Sequence, residues 1–128
     1  MKIEGKAVSV NKSSEEVFKF LADFKNFEKL MPEEVTKFES DESSFIFGIK
    51  GMPEIRLVKK SETEFSQIIL EAASSKLPIE LSADINSIEN MSEVKLTFNG
   101  DFNPMIKMMV QKPLTKFIET LSDNISAL

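Results

Sequence analysis

The C-terminal segment, residues 103–128, carries the longest regular pattern of apolar and polar positions in the chain. Asn103 and Pro104 open it, and these residue types are favoured at the N-cap and at the first position of a helix. At about 100° per residue the apolar side chains fall on one broad stripe, which predicts a helix that packs on a sheet. The stripe consists of Ile106, Val110, Pro113, Leu114, Phe117, Leu121 and Ile125.

Shorter alternations of apolar and polar residues dominate residues 35–101 and predict an antiparallel sheet. The clearest lies in residues 78–87, where every second side chain is apolar, and residues 92–101 repeat it. A period of two is typical of a strand with one buried and one solvated face. Polar, turn-like segments separate these runs at short spacing, which favours hairpins. With the N-terminal segment included, we predict seven strands, over residues 2–10, 35–40, 44–50, 53–60, 64–72, 78–87 and 92–101.

Two short helices are predicted between the first and second strands. Ser13 and Glu16 have the spacing of a capping box, in which both side chains satisfy free N–H groups, so we expect a helix over about residues 14–22. Asp23 is in position to cap a second short helix, which Pro32 would end. The apolar edge of that second helix would consist of Phe24, Phe27 and Met31.

Composition excludes several classes of function. The chain has 128 residues, a formal net charge of −5 at pH 7, and no cysteine, histidine, tyrosine or tryptophan. Nucleic-acid binding needs clustered positive charge, so we predict no nucleic-acid partner. Thiolate and histidine metal sites and histidine-dependent catalytic triads cannot form. We therefore predict no metal, no cofactor and no identifiable catalytic residue.

The chain also lacks the marks of secretion or membrane insertion. The first ten residues contain no apolar signal-peptide core, and no stretch approaches the roughly 18 apolar residues of a membrane span. We expect a cytoplasmic protein without a membrane span, present as a monomer or weak homodimer.

The order of strand, two short helices, six strands and long helix resembles the helix-grip fold of the START-like (SRPBCC) superfamily. Birch-pollen-allergen-like and polyketide cyclase-like proteins belong to that superfamily. The matching segments are "SSEEVFKFLADFKNFEKLMP" (13–32) and the terminal "NPMIKMMVQKPLTKFIETL" (103–121). The resemblance implies a single α+β domain over residues 1–128, with a seven-stranded curved antiparallel sheet around the long C-terminal helix. It also implies a cavity that in relatives often holds a lipid, sterol, hormone or polyketide.

Apolar side chains from three parts of the chain are the candidates to line such a cavity. Apolar stripes are mainly core, so the alternative is that these residues simply fill the interior. The candidate lining residues are Phe24, Phe27, Met31, Phe45, Phe47, Leu81, Ile85, Phe98, Met109 and Phe117.

Arg56 and Gln67 are the candidate polar anchors for a ligand. A guanidinium binds oxyanions in a bidentate manner, so an inward Arg56 would hold a carboxylate. Alternation favours the opposite arrangement, with Ile55 and Leu57 inward and Arg56 at the surface. Gln67 lies in a segment that is apolar on both faces, and its inward face stays open.

The leading hypothesis is non-catalytic binding of a small hydrophobic ligand, lipid-like or polyketide-like and aromatic, in an internal cavity. One alternative is a polyketide cyclase or dehydratase-like enzyme, which would need a buried carboxylate or lysine facing a pocket. Another is a protein-interaction module that resembles chaperone-activating relatives and uses an exposed apolar patch. Met105 and Met108 lie off the main helical stripe. Because flexible thioethers suit adaptable contacts, we expect them at a pocket mouth, at a partner surface or packed under a neighbouring loop.

Overall fold

The computed structural model describes residues 1–74 and 77–128, and in these ranges it contains eight β-strands, two α-helices and one 3₁₀ helix. The helical elements are α1 (Ser14–Ala22), the 3₁₀ helix (Phe24–Leu30) and α2 (Pro104–Ser126). The strands are β1 (Lys2–Glu4), β2 (Val8–Val10), β3 (Val35–Ser40), β4 (Ser44–Ile49), β5 (Ile55–Thr63), β6 (Gln67–Ala72), β7 (Ile79–Ile88) and β8 (Met91–Gly100).

All the strands belong to one curled antiparallel sheet with the order β1-β8-β7-β6-β5-β4-β3, in which β2 also pairs with β8. The long helix α2 and the two short helices pack on its inner face. This arrangement confirms the predicted α+β helix-grip fold. The strand count differs from the expected seven because the predicted first strand, residues 2–10, is divided into β1 and β2.

Gly5 marks the point at which the first strand is interrupted. Its N–H donates to the carbonyl oxygen of Leu96 over 2.8 Å, so the chain stays attached to β8 there. A Cβ on Gly5 would lie only 3.0 Å from the Oγ of Ser122 and 3.1 Å from that Leu96 oxygen. The missing side chain therefore lets α2 approach the sheet closely where the strand breaks.

Ser13 caps α1 as predicted, whereas the Glu16 carboxylate accepts from the Ser13 hydroxyl over 3.2 Å rather than from a free N–H group. The predicted cap of the 3₁₀ helix is absent. Ser13 Oγ accepts a hydrogen bond from the N–H of Glu16 over 3.2 Å, and α1 spans the predicted residues. Asp23 makes no side-chain capping bond, which corrects its assigned role. Two asparagines hold the segment instead: Asn26 Nδ2 donates to the Phe20 carbonyl oxygen over 3.0 Å, and Asn124 Nδ2 donates to that of Leu30 over 2.8 Å.

The register of β6, which alternation left open, is decided by burial. Ile68 and Leu70 are each 2% exposed and face the core, whereas Gln67 and Ile69 are half-buried on the other face. Phe65 belongs to the turn between β5 and β6, with φ of 64°, rather than to a strand. Its ring packs edge-on against Phe18 of α1, with 5.7 Å between centroids.

Helix α2 begins as predicted, because Asn103 Oδ1 accepts from the N–H of Ile106 over 2.9 Å with Pro104 at the start of the helix. It continues through Pro113 without interruption. From Val110 onward the stripe is buried except for the half-buried Pro113, and Ile118 joins it. No helix in the described part of the chain is long and apolar enough to cross a membrane.

Candidate functional site

Phenylalanine rings fill much of the space between the sheet and α2. Phe27 stacks on Phe45 with 4.7 Å between centroids, and Phe47 stacks on Phe117 with 4.8 Å. Phe45 and Phe47 lie 6.0 Å apart and join the two pairs into one series of rings. Six of the predicted cavity residues therefore come together, but as a packed core in direct mutual contact. They are Phe24, Phe27, Phe45, Phe47, Phe98 and Phe117, each at most 3% exposed.

The other predicted lining residues are divided between interior and surface. Leu81 and Ile85 are buried on the inner face of β7. Met31 follows the 3₁₀ helix and packs, half-buried, against the core. Met109 is 46% exposed on α2 and does not face the rings. The buried stripe of α2 turns Met109 outward, because a helix can present only one face to the sheet.

Both predicted polar anchors lie on the outer face of the sheet. Arg56 Nη1 donates to Ser44 Oγ over 2.7 Å and lies 3.8 Å from a carboxylate oxygen of Asp41. The pKa of Asp41 is lowered, chiefly because its carboxylate accepts hydrogen bonds from the backbone N–H groups that follow it. Gln67 Nε2 donates to Asp84 Oδ1 over 2.8 Å. Ile55, Leu57, Ile68 and Leu70 take the inward positions on the same strands, so Arg56 and Gln67 cannot face the interior.

A cleft opens where α2 passes the end of the sheet formed by β3 and β4. We call it the α2–β4 cleft, and its volume is about 280 Å³. Phe117 lines the cleft and also stacks on Phe47, so the cleft lies directly beside the packed rings. Its apolar lining consists of Pro32, Val35, Ile49, Pro113 and Phe117, and its charged lining of Glu34, Lys50 and Lys116.

An ion pair spans the α2–β4 cleft from one side to the other. Lys116 Nζ of α2 lies 2.8 Å from Glu34 Oε1, which belongs to the segment before β3. The hydrogen bond to Lys116 lowers the pKa of Glu34, with a smaller contribution from the backbone N–H of Glu34 itself. The same hydrogen bond raises the pKa of Lys116. Lys50 is exposed and makes no ion pair with any residue of the described ranges. The cleft therefore carries two cations and one anion.

Sequence reasoning missed this cleft almost entirely, since Phe117 is the one residue of its lining that was predicted. Glu34 and Lys116 had the appearance of ordinary surface charges. The lining comes from three separate segments, residues 32–35, 49–50 and 113–117, and no local pattern links them. Among the lining residues, the two prolines are recognisable in the sequence as positions with no backbone N–H to donate.

Three methionines form an exposed apolar surface on the first half of α2. Met105 is 81% exposed, Met108 is 82% exposed, and Met109 lies beside them. None of the three lines the α2–β4 cleft. We call this patch the methionine surface. It lies on the solvent side of the helix, where it is available for contact with another molecule.

Comparison with known proteins finds similarity of structure alone. No family model matches the chain, and no curated protein matches it in sequence. A START superfamily protein from Mycobacterium smegmatis has a TM-score of 0.67 at 14% identity, with 98% of this chain and 97% of that chain covered. A protein from Thermus thermophilus has a TM-score of 0.73 at 12% identity, with 99% and 95% covered. The Aha1 dimer from Colwellia psychrerythraea has a TM-score of 0.61 at 14% identity, with 98% and 96% covered.

Proposed function

We propose that this chain, which has the START-like helix-grip fold, binds a small hydrophobic molecule in the α2–β4 cleft. The observation that carries the proposal is the composition of the cleft. Five apolar residues line it next to the phenylalanine rings, and its charged groups are the three side chains Glu34, Lys50 and Lys116. Ligand sites are typically concave and mostly apolar, with a few polar groups that orient the ligand.

The size of the cleft sets the size of the ligand. Its volume of about 280 Å³ lies just below the roughly 300–1,000 Å³ of sites for drug-sized molecules. A lipid-like chain or an aromatic ring system is the chemical class that suits an apolar lining. Affinity would come mainly from burial of apolar surface, at roughly 25 cal/mol per Å² before the costs of ordering are subtracted.

Native mass spectrometry of gently purified protein, followed by extraction, tests whether a molecule is retained. Val35→Trp would fill the cleft, because Val35 is half-buried in its lining. Ile88→Trp is the matched control at an exposed position of β7, where Ile88 is 51% exposed. We expect a bound mass in the unmodified protein and in the control, and its loss in Val35→Trp.

Titration with 1-octanol, followed by ¹H–¹⁵N NMR, tests the same site without relying on a retained ligand. Saturable shifts should appear at the amides of Val35, Ile49, Lys50, Lys116 and Phe117, which line the cleft. Shifts confined to the methionine surface, or none that saturate, would contradict the proposal.

A second candidate function is protein interaction through the methionine surface. The exposure of Met105 and Met108 favours it, because flexible thioethers suit adaptable contacts. The likeness to a solved dimer is consistent with assembly. The enzymatic alternative has no comparable support, since the buried polar side chains in the described ranges are Ser44, Ser92, Thr97 and Ser122. None of these is a carboxylate or an amine.

A further inference from the structure

We infer that the ligand of the α2–β4 cleft is an amphipathic monoanion, a short apolar chain or ring with one carboxylate that Lys50 and Lys116 bind at the cleft mouth. This inference rests on the proposed function and names the chemical class of its ligand. The charged side chains of the cleft support this ligand class. The lining of the cleft contains two lysines, Lys50 and Lys116, and a single carboxylate, Glu34, in a chain whose formal net charge is −5. The cleft is thus a locally cationic site on an acidic protein.

Lys50 supplies a charge to the cleft that is unpaired among the described residues. It follows Ile49 at the end of β4, and Gly51, with φ of 89°, turns the chain directly after it. Lys50 lines the cleft but forms no ion pair within the described ranges. The ammonium group of Lys50 attracts a ligand carboxylate more strongly than it attracts a neutral head group. The apolar chain of such a ligand can be buried against the cleft wall while its charged end stays in water.

Lys116 supplies the second charge when the ligand carboxylate replaces the carboxylate of Glu34 as its ion-pair partner. Its present partner, Glu34, is exposed, and exposed ion pairs contribute little to stability. A ligand carboxylate would therefore replace Glu34 on Lys116 at small cost. Glu34 would act as a competitor that occupies Lys116 in the free protein. A cationic ligand would meet two lysines, and a neutral one would make no use of either.

Three ligands with the same chain and different head groups test the inference: octanoate, 1-octanol and octylammonium. Binding is followed by the saturable shifts of the cleft amides in ¹H–¹⁵N spectra of the complete chain. We expect octanoate to bind about threefold to tenfold more tightly than 1-octanol, and octylammonium to bind most weakly. Added salt should weaken octanoate binding and leave 1-octanol binding unchanged, because salt screens exposed charges.

Two substitutions at the mouth should have opposite effects on octanoate. Lys50→Gln should weaken its binding by about threefold to fivefold, while Glu34→Gln should tighten it by a similar factor, because Lys116 is then free. Both variants should change 1-octanol binding by a smaller factor than octanoate binding, because 1-octanol carries no charge. Lys107→Gln is the matched control, since Lys107 is an exposed lysine of α2 outside the cleft.

The outcomes separate the inference from the proposed function. Equal binding of octanoate and 1-octanol would overturn the monoanion inference and leave hydrophobic binding in place. Weaker octanoate binding in Glu34→Gln would overturn the exchange at Lys116. If none of the three ligands gave saturable shifts at the cleft, the proposed function itself would be refuted.

Discussion

The side chain of Asn124 in α2 donates a hydrogen bond to the carbonyl oxygen of Leu30 over 2.8 Å, which joins residues 94 positions apart in the chain. Leu30 is the last residue of the 3₁₀ helix and is 1% exposed. The bond ties the end of that helix to α2. It thereby positions the following segment, which contains Pro32 and Glu34 of the α2–β4 cleft.

Asn124→Ala should destabilise the protein by about 1–3 kcal/mol, because the Leu30 carbonyl would lose a partner in a largely buried place. Urea unfolding followed by circular dichroism measures the change in free energy of unfolding. Ser126→Ala is the control, since Ser126 is exposed on the same turn of α2. An equal loss in both variants would show that the cross-chain bond has no special role.

Phe117→Ala should cost about 3–5 kcal/mol in the free energy of unfolding, because it leaves a cavity beside Phe47 and Phe98. Met108→Ala should cost little, since Met108 is 82% exposed. Thermal and urea unfolding of both variants provide the comparison. A large loss for Met108→Ala would mean that the exposed face of α2 is covered in solution.

Gly5→Ala should destabilise by about 1–3 kcal/mol, because its Cβ would be forced against Ser122 Oγ and the Leu96 carbonyl oxygen. Ser122→Ala removes one of these two contacts. In a double-mutant cycle, the combined variant should therefore lose less stability than the sum of the single variants. Strict additivity would indicate that the contacts other than Ser122, with the Leu96 carbonyl oxygen and the Ile118 side chain, set the cost.

The carboxyl group of Glu34 should titrate below its ordinary pKa of 4.5, chiefly because of its hydrogen bond to Lys116. A depressed folded-state pKa means that the pair stabilises the fold above pH 4.5 and that this contribution is lost as the pH falls through the folded-state value. Lys116→Gln should raise the pKa of Glu34 toward 4.5, as measured by NMR titration of its side-chain carbons.

Lys112→Gln is the control for that titration, because Lys112 is a neighbouring lysine of α2 that does not contact Glu34. It should leave the pKa of Glu34 unchanged. A similar rise in both variants would assign the effect to the general charge of the helix rather than to the ion pair.

Features that are decided by residues a few positions apart in the chain were predictable from the sequence. The Ser13 cap, the Asn103–Pro104 start of α2 and the alternation of β7 and β8 all matched the structure, because capping bonds and side-chain faces are decided within a few residues. Asp23 is the exception. Its predicted capping bond is absent, and Asn26 and the distant Asn124 hold the 3₁₀ helix instead.

The sequence by itself therefore determined the order of the elements, the alternating faces of the strands and the apolar face of α2, since periodicity and capping are local properties of the chain. Tertiary structure decided the break at Gly5, the outward position of Gln67 and the packing of the phenylalanine rings, whereas alternation already favoured an outward Arg56. It also decided the α2–β4 cleft, because residues 32–35, 49–50 and 113–117 meet only when α2 packs across the end of the sheet. Contacts between distant segments leave no periodic pattern in the sequence.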